Sequence, residues 1–376
     1  MKATLTALGD VAAVGSFRKR LLEEPLEAVI DPELIDLLRA SDACIANVEC
    51  VLTGVETFTI PGYGLRTSPR LAPTFRALGI TIATLANNHI RDVGDAGVLD
   101  TIRHLQAAGM ATCGAGENVR AASAPLYFSA GGLRFGLLAV AEREDNLADE
   151  ERAGSAFFQP ETWAADIAGL RRNCDVALVS VHAGHEFAPV PSPRIRAACR
   201  AAVDAGADVV LGHHPHVPQG IERRGGGVIF YSLGNFCFDS DYVCGYNGWE
   251  IGLVPEITFS GGRIDFTVHP VRIGREGSVS LLRGDEREAF LKRLNHLCQL
   301  VADDAAFAAA WRNHVQWRFE RDYLPHLERL GERLGGDESR RYSRFYRNYF
   351  RCPTHQELIA DYLSQSMRSE PFSATK

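Results

Sequence analysis

The stretch Val209-Val210-Leu211-Gly212-His213-His214-Pro215-His216 constrains this chain more than any other. Three apolar residues read as a buried strand, Gly212 ends it, and three imidazoles follow at once where a strand passes into a loop. Ligands of open α/β sheets bind outside the carboxyl ends of strands, so the position is a functional one. Imidazole is also the commonest metal ligand and the side chain that titrates nearest neutrality. A loop rich in surface histidine is the plainer reading, and His-Pro-His at a strand end weighs against it.

The same pattern recurs along the chain. Leu5 to Leu8 reads as a strand that delivers Gly9-Asp10, and a helix over Pro32–Ala40 leads to Cys44-Ile45-Ala46, which ends in Asn47-Val48-Glu49. Thr81 to Leu85 is strand-like and is followed by Asn87-Asn88-His89, then by Gly94, Gly97 and an amphipathic helix from Val98 to Ala108. After a strand at Leu133 to Ala141 and a helix near Pro160 to Arg171, the nearly continuous apolar run Val176 to Val181 reads as a strand covered on both faces. It ends at His182-Ala183-Gly184-His185-Glu186. A helix over Ser192 to Ala205 leads back to Val209, Val228 to Tyr231 precedes Ser232-Leu233-Gly234-Asn235-Phe236, and Ile251 to Val271 alternates like antiparallel strands. Strand and helix in alternation predict a layered α/β core ending near Gly277. From Asp285 to about Gln365 nothing is strand-like, and the chain divides into 1–277 and a helical region, 278–376.

Composition sets the class. A chain of 376 residues with 46% hydrophobic content buries a large core, and a net charge of −7 argues against general nucleic-acid binding. Nine cysteines, an odd number with no Cys-x-x-Cys pair, read as reduced thiols and not as a disulfide framework or zinc ribbon. The first ten residues read as a strand and not as a signal segment, and no run is long enough to span a membrane. The expectation is a cytoplasmic protein with no membrane and no nucleic-acid partner.

Asp10, Glu49, Asn88, His89, His182, His214 and His216 thus collect at strand ends. Carboxylates and imidazoles brought together inside a fold are costly unless paired or coordinated, so the set predicts a metal site. Oxygen donors suit Ca²⁺, Mg²⁺ or Mn²⁺, and the histidines pull towards Mn²⁺, Zn²⁺ or Fe²⁺. No organic cofactor is called for. His185 and His213 adjoin the set as hydrogen-bonding neighbours, Glu186 orients His182 or meets substrate, and Asn235 holds its loop. His104, His269, His296, His314, His326 and His355 receive no chemistry, and Trp163, Trp249, Trp311 and Trp317 read as packing residues. In the helical region Arg340, Arg344, Arg347 and Arg351 share one face and Tyr342, Tyr346 and Tyr349 another. The plain reading is a solvated face over a packing face. The sharper one is an arginine clamp for a carboxylate-bearing peptide, which makes the region a peptide-binding cap.

Gly9-Asp10, Asn47-Val48-Glu49, Leu85-Ala86-Asn87-Asn88-His89 with Asp92 and Gly94, His182-x-Gly184-x-Glu186, Gly212-His213-His214-Pro215-His216 and Ser232-Leu233-Gly234-Asn235-Phe236 together resemble the CapA family of poly-γ-glutamate capsule-synthesis proteins. The resemblance covers roughly residues 1–275 and implies the layered fold of calcineurin-like metallophosphatases. In that superfamily an Asp-x-His, a bridging Asp, an Asn-His and a His-x-His hold two metals. Here Val11-Ala12 follow Asp10, so the first-motif histidine is absent, and Glu49 stands at the bridging position. The resemblance implies that Glu49, Asn88, His182 and His214 hold one divalent ion, while Asp10 and His216 remain of the other set.

Losing one ion removes the clamp on which two-metal phosphoester hydrolysis rests. Asp10 with His216, and His89 with Asp92, then read as two Asp/His pairs for reversible proton transfer at a carbon acid. CapA-like enzymes include peptide epimerases that invert the C-terminal residue of lasso-type precursor peptides, and the leading expectation is such a metal-dependent isomerase with a peptide substrate. The alternatives are a poly-γ-glutamate synthesis protein or a metal-dependent phosphoester or amide hydrolase, and a non-catalytic module that binds a peptide or polyanion.

Overall fold

The apolar runs become the strands of two sheets laid face to face in a computed structural model that describes residues 1–59, 64–335 and 339–369. Lys2–Ala12 is the axis of the first sheet. It runs parallel to Ala43–Val48 on one side, with Ile82–Thr84 and Ala111–Cys113 continuing outward. On its other side it pairs antiparallel with Ile251–Ser260, followed by Arg263–Gly274 and Ser278–Leu281. The sheet therefore runs four residues beyond the expected end at Gly277. Asn235–Phe238 pairs parallel with the carboxyl end of the axial strand, placing Asn235 beside Asp10.

The second sheet has Val176–His182 at its centre, flanked in parallel by Leu133–Ala141 and Val209–His213. Gly227–Phe230 extends it, and antiparallel hairpins with Ile221–Arg224 and Leu126–Ala130 close its edges.

Side chains alternate across each strand, so one strand serves two cores. Leu5, Ala7 and Ile45 of the first sheet meet Phe135, Leu137, Leu178 and Leu211 of the second between the sheets. The opposite face of the first sheet packs Leu8, Val11, Cys44 and Ala46 against Phe17, Leu34, Leu38 and Phe75 of the covering helices. One of these, Pro32–Ala40, begins at Asp31, whose side chain accepts from the Glu33 amide at 3.1 Å.

The outer face of the second sheet carries Val179, Val181 and Val210, and these pack with Phe307, Trp311, Val315, Tyr346, Tyr349 and Leu358 of the C-terminal helices. Those helices run through Gly284–Ala302, Asp304–Arg318, a π-helical turn at Phe319–Tyr323, and on to Ser339–Arg351 and Pro353–Ser369. No described helix is long and apolar enough to cross a membrane. The described cysteines are all free thiols, most of them buried.

The close approach that shapes the site occurs at Gly9. A Cβ there would collide with the Gly234 carbonyl, and only without one can the Ser232–Asn235 turn lie against the axial strand. The Asp10 amide donates to that same carbonyl at 2.9 Å, which fixes Asp10 at the sheet edge.

Candidate metal centre

The carboxyl ends of both sheets point to one cleft, where Asp10, Asn47, Glu49, His182, His213, His214 and His216 are all buried. Two triads emerge whose ligand atoms lie within 4.8 Å of one another: Glu49 with His182 and His214, and Asp10 with Glu49 and His216. Glu49 belongs to both.

The two carboxylates have opposite surroundings. Asp10 Oδ1 accepts from Asn47 Nδ2 at 2.8 Å and faces His213 Nδ1 at 3.2 Å, and Oδ2 accepts from the His214 amide at 3.1 Å. Burial alone would raise its pKa, yet the hydrogen bonds from His213 and His216 hold it well below the usual carboxylate range. Glu49 is fully buried, and neither of its oxygens has a hydrogen-bond partner among the described residues. It faces His182 Nε2 at 3.4 Å and His216 Nε2 at 3.9 Å. Burial, then the negative charge of Asp10, pushes its pKa well up.

A buried carboxylate without donors is costly, and facing imidazoles make a cation its natural complement. The donor set supplies the rest. His182 Nε2 lies 3.0 Å from Asn88 Oδ1 and its Nδ1 lies 3.1 Å from Asn47 Nδ2. His214 Nδ1 has no hydrogen-bond partner among the described residues, and its ring stands 4.8 Å from that of His182. Burial pushes both imidazoles down, towards the neutral form that ligates. Glu49, His182, His214 and the Asn88 oxygen fit one divalent ion. Asp10, already saturated by donors, fits an ion less well.

His214 and His216 both adopt positive φ, 93° and 56°, rare for side chains of this size. His216 Nδ1 is 2.9 Å from Asn235 Oδ1, while Asn235 Nδ2 donates to the carbonyls of His216 and Trp249 at 3.1 Å, so Asn235 clamps His216 at both ends. The structure does bring Asp10 and His216 together, at 3.4 Å, and His216 shares its Nδ1 with Asn235 at a shorter distance. His213 lies closer to Asp10 than His216 does. The other pair is tight, with His89 Nδ1 2.7 Å from Asp92 Oδ2. Burial opposes protonation of His89, but the charge and hydrogen bond of Asp92 raise its pKa. Asp92 also accepts from the Leu65 amide at 2.6 Å, which fixes the carboxylate against the ring.

His185 turns out of the cleft. Its Nε2 meets the Thr354 carbonyl at 2.8 Å and its ring stands 5.4 Å from Trp311, so it fastens the C-terminal helices to the second sheet. Glu186 does reach the cleft rim, accepting from Tyr242 at 2.6 Å and Arg318 at 3.1 Å. Burial works against its charge, yet the Arg318 guanidinium holds its carboxyl down at about 2.

Residues given no chemistry from sequence also arrive here. His355, half-buried, lies 2.5 Å from the Tyr323 hydroxyl and 3.3 Å from Asn348 Nδ2, close enough to feel Glu186 and His214 electrostatically. Burial pushes its pKa down to about 4. Glu144 sits near His89, and Asn348 Nδ2 donates to it at 3.4 Å; burial pushes its pKa up to about 7. The helical region reaches the cleft rim through Arg318, which donates to Glu186. Arg347 is exposed and paired with Asp145, Arg351 is exposed, and the side chains of Arg340 and Arg344 lie outside the described residues. Tyr346 and Tyr349 are buried and pack, as the plain reading holds.

A family model described as "Bacterial capsule synthesis protein PGA_cap" matches residues 4–240. The capsule biosynthesis protein CapA of Bacillus anthracis is 32% identical over 252 residues, covering 64% of this chain and 61% of that protein. The PGA biosynthesis protein CapA of Bacillus subtilis is 30% identical over 241 residues, covering 63% of each. The chain thus spans less than two thirds of the length of either curated relative. Among solved structures, a phosphatase from Mycoplasma pneumoniae is similar at a TM-score of 0.46 with 13% identity, covering 72% of this chain and 94% of that one.

Proposed function

The chain belongs to the bacterial capsule synthesis protein family PGA_cap, and from that premise we propose that its cleft is a one-metal centre for proton transfer on a peptide substrate, an epimerase site. Glu49, His182, His214 and Asn88 hold a divalent ion, of the Ca²⁺, Mg²⁺, Mn²⁺ or Zn²⁺ type. When bound, that ion polarises a substrate carboxylate or carbonyl and so acidifies the adjacent Cα–H.

The observation that carries the reading is the contrast at the cleft floor: Glu49 lacks donors while Asp10 is saturated with them. A single charge-deficient position favours one ion over the paired ions of phosphoester hydrolysis. The protein's own part is then acid–base. Asp92 orients His89 and raises its basicity, so His89 takes or returns a proton. Glu186 and Arg318 sit at the rim, where they bind or align a peptide end.

A second reading, hydrolysis or assembly of glutamyl amides, draws on the family match and on the names of the CapA relatives. Incubating the metal-loaded chain with candidate peptides in D₂O separates the two. Epimerisation yields one product heavier by one deuterium, and hydrolysis yields two fragments. H89N is expected to lower exchange by about 10²- to 10⁴-fold while keeping metal content; a variant that exchanges at the wild-type rate overturns the role of His89.

A further inference from the structure

Asn235 is fully buried, and both polar atoms of its side chain are engaged. Its Nδ2 donates to the carbonyls of His216 and Trp249, each at 3.1 Å, and a carbonyl oxygen can only accept. Turning the amide over would set Oδ1 against those two oxygens, so the carbonyls fix Oδ1 on the side of the His216 ring without help from the imidazole. There Oδ1 lies 2.9 Å from Nδ1, and Asp10 Oδ2 lies 3.4 Å from the same atom. Two acceptors bracket Nδ1, so in the neutral ring that nitrogen carries the proton and Nε2 keeps its lone pair. The ring is walled by Phe238 at 4.7 Å, edge-on, and by Phe187 at 6.0 Å, which hold it in this orientation.

The other nitrogen looks towards Glu49. His216 Nε2 lies 3.9 Å from Glu49 Oε1, and neither Glu49 oxygen has a hydrogen-bond partner among the described residues. An N–H at Nε2 would be a natural partner for such a buried carboxylate. The second imidazole facing Glu49, His182, has its Nε2 only 3.0 Å from Asn88 Oδ1 and is engaged there. His216 is therefore the ring from which Glu49 could draw a hydrogen bond, and Asn235 keeps the proton on the far side of that ring.

We propose that Asn235 is a positioning residue of the metal centre: by holding the His216 proton on Nδ1 it denies Glu49 a hydrogen bond from Nε2 and keeps that carboxylate open to a divalent cation. This rests on Glu49 as an anchor of the ion and not on epimerisation, and its test needs no turnover. Histidine carrying the heavy nitrogen isotope in both ring positions reports the tautomer of the full, metal-free chain above neutrality through long-range proton–nitrogen correlations, with the His216 signals assigned by their loss in H216Q. The wild type is expected to show Nδ1–H. N235L and N235A, which lack the acceptor, are expected to show Nε2–H at His216 and to bind Mn²⁺ about 10- to 100-fold more weakly in calorimetric titration. S232A removes the hydroxyl that accepts from the Gly234 amide at 3.2 Å, loosening the same turn, and is expected to keep the wild-type tautomer and affinity. An Nε2–H wild type overturns the role of Asn235 whether or not any variant folds. An unchanged tautomer in a folded Asn235 variant, a changed tautomer with unchanged affinity, or an equal loss of affinity in S232A overturns it as well. Expected tautomers with Mn²⁺ binding that E49Q leaves untouched sink the reading of Glu49 as the anchor, and leave the tautomer assignment standing.

Discussion

The two sides of the cleft floor hold the same functional group in opposite states. Asp10, at the end of the axial strand, is surrounded by an amide side chain, a backbone N–H and two imidazoles, and Glu49, at the end of the next strand, has no donor among the described residues. Both are buried, so burial does not distinguish them. The difference is whether the protein itself solvates the charge. Asp10 is a structural anion that pins the His213–His216 loop to the first sheet, and Glu49 is left for something the chain does not provide.

Exchanging each carboxylate for its amide tests that contrast most severely. D10N breaks a buried ion-pair network and is expected to cost about 3–5 kcal/mol of stability, read as a loss in the denaturant midpoint of the metal-free protein. E49Q replaces a buried carboxyl that has no donor among the described residues and is held towards its neutral form, and is expected to leave the metal-free protein equally stable or more so. Equal losses in the two variants would erase the distinction.

Metal addition reverses the order. A divalent ion at a hundredfold excess over its Kd is expected to stabilise the wild type by about 2.7 kcal/mol, and E49Q and H214A by much less, measured as a shift in Tm alongside elemental analysis. Stabilisation of E49Q as large as that of the wild type would place the ion elsewhere.

The smallest effect concerns an anion that resembles Asp10 but lies far from the cleft. Asp31 caps its helix and accepts from Arg283 at 2.7 Å and from the Leu281 amide at 3.3 Å. The hydrogen bond from Arg283 lowers its pKa despite some burial, so its contribution is present above the ordinary carboxylate range and lost as pH falls through the lowered value. D31A is expected to cost about 1 kcal/mol near neutrality and to match the wild type more closely in acid; a pH-independent difference would exclude the charged interaction.

The strand ends were legible because apolar runs stop where polar donors begin, a pattern carried within a few neighbouring residues. His182, His214, Glu49 and Asn88 could be gathered from it without knowing which strands pair. What side chains do once gathered was not legible. His213 proves nearer to Asp10 than His216 because the loop takes positive φ at His214 and His216, a backbone choice that histidine does not announce. His185 and His355 look alike in sequence, yet one fastens the helices to the second sheet and the other bonds Tyr323 and Asn348 within the helical region, since helix packing decides what each ring meets. Helical periodicity marks the arginine face but does not say what lies opposite it, and of its side chains only the exposed Arg347 and Arg351 are described.

The position of the axial strand also governs the order in which this protein can assemble. Lys2–Ala12 is synthesised well before two of its partners, Asn235–Phe238 and Ile251–Ser260. Until Ser260 has emerged, one edge of that strand stays open, exposing Leu5 and Ala7 to the unpaired-edge contacts that drive aggregation. Asp10, whose amide bonds the Gly234 carbonyl, can only then reach its final place. The cleft is thus built late in synthesis, and conditions that slow translation beyond residue 240 are where misassembly should concentrate.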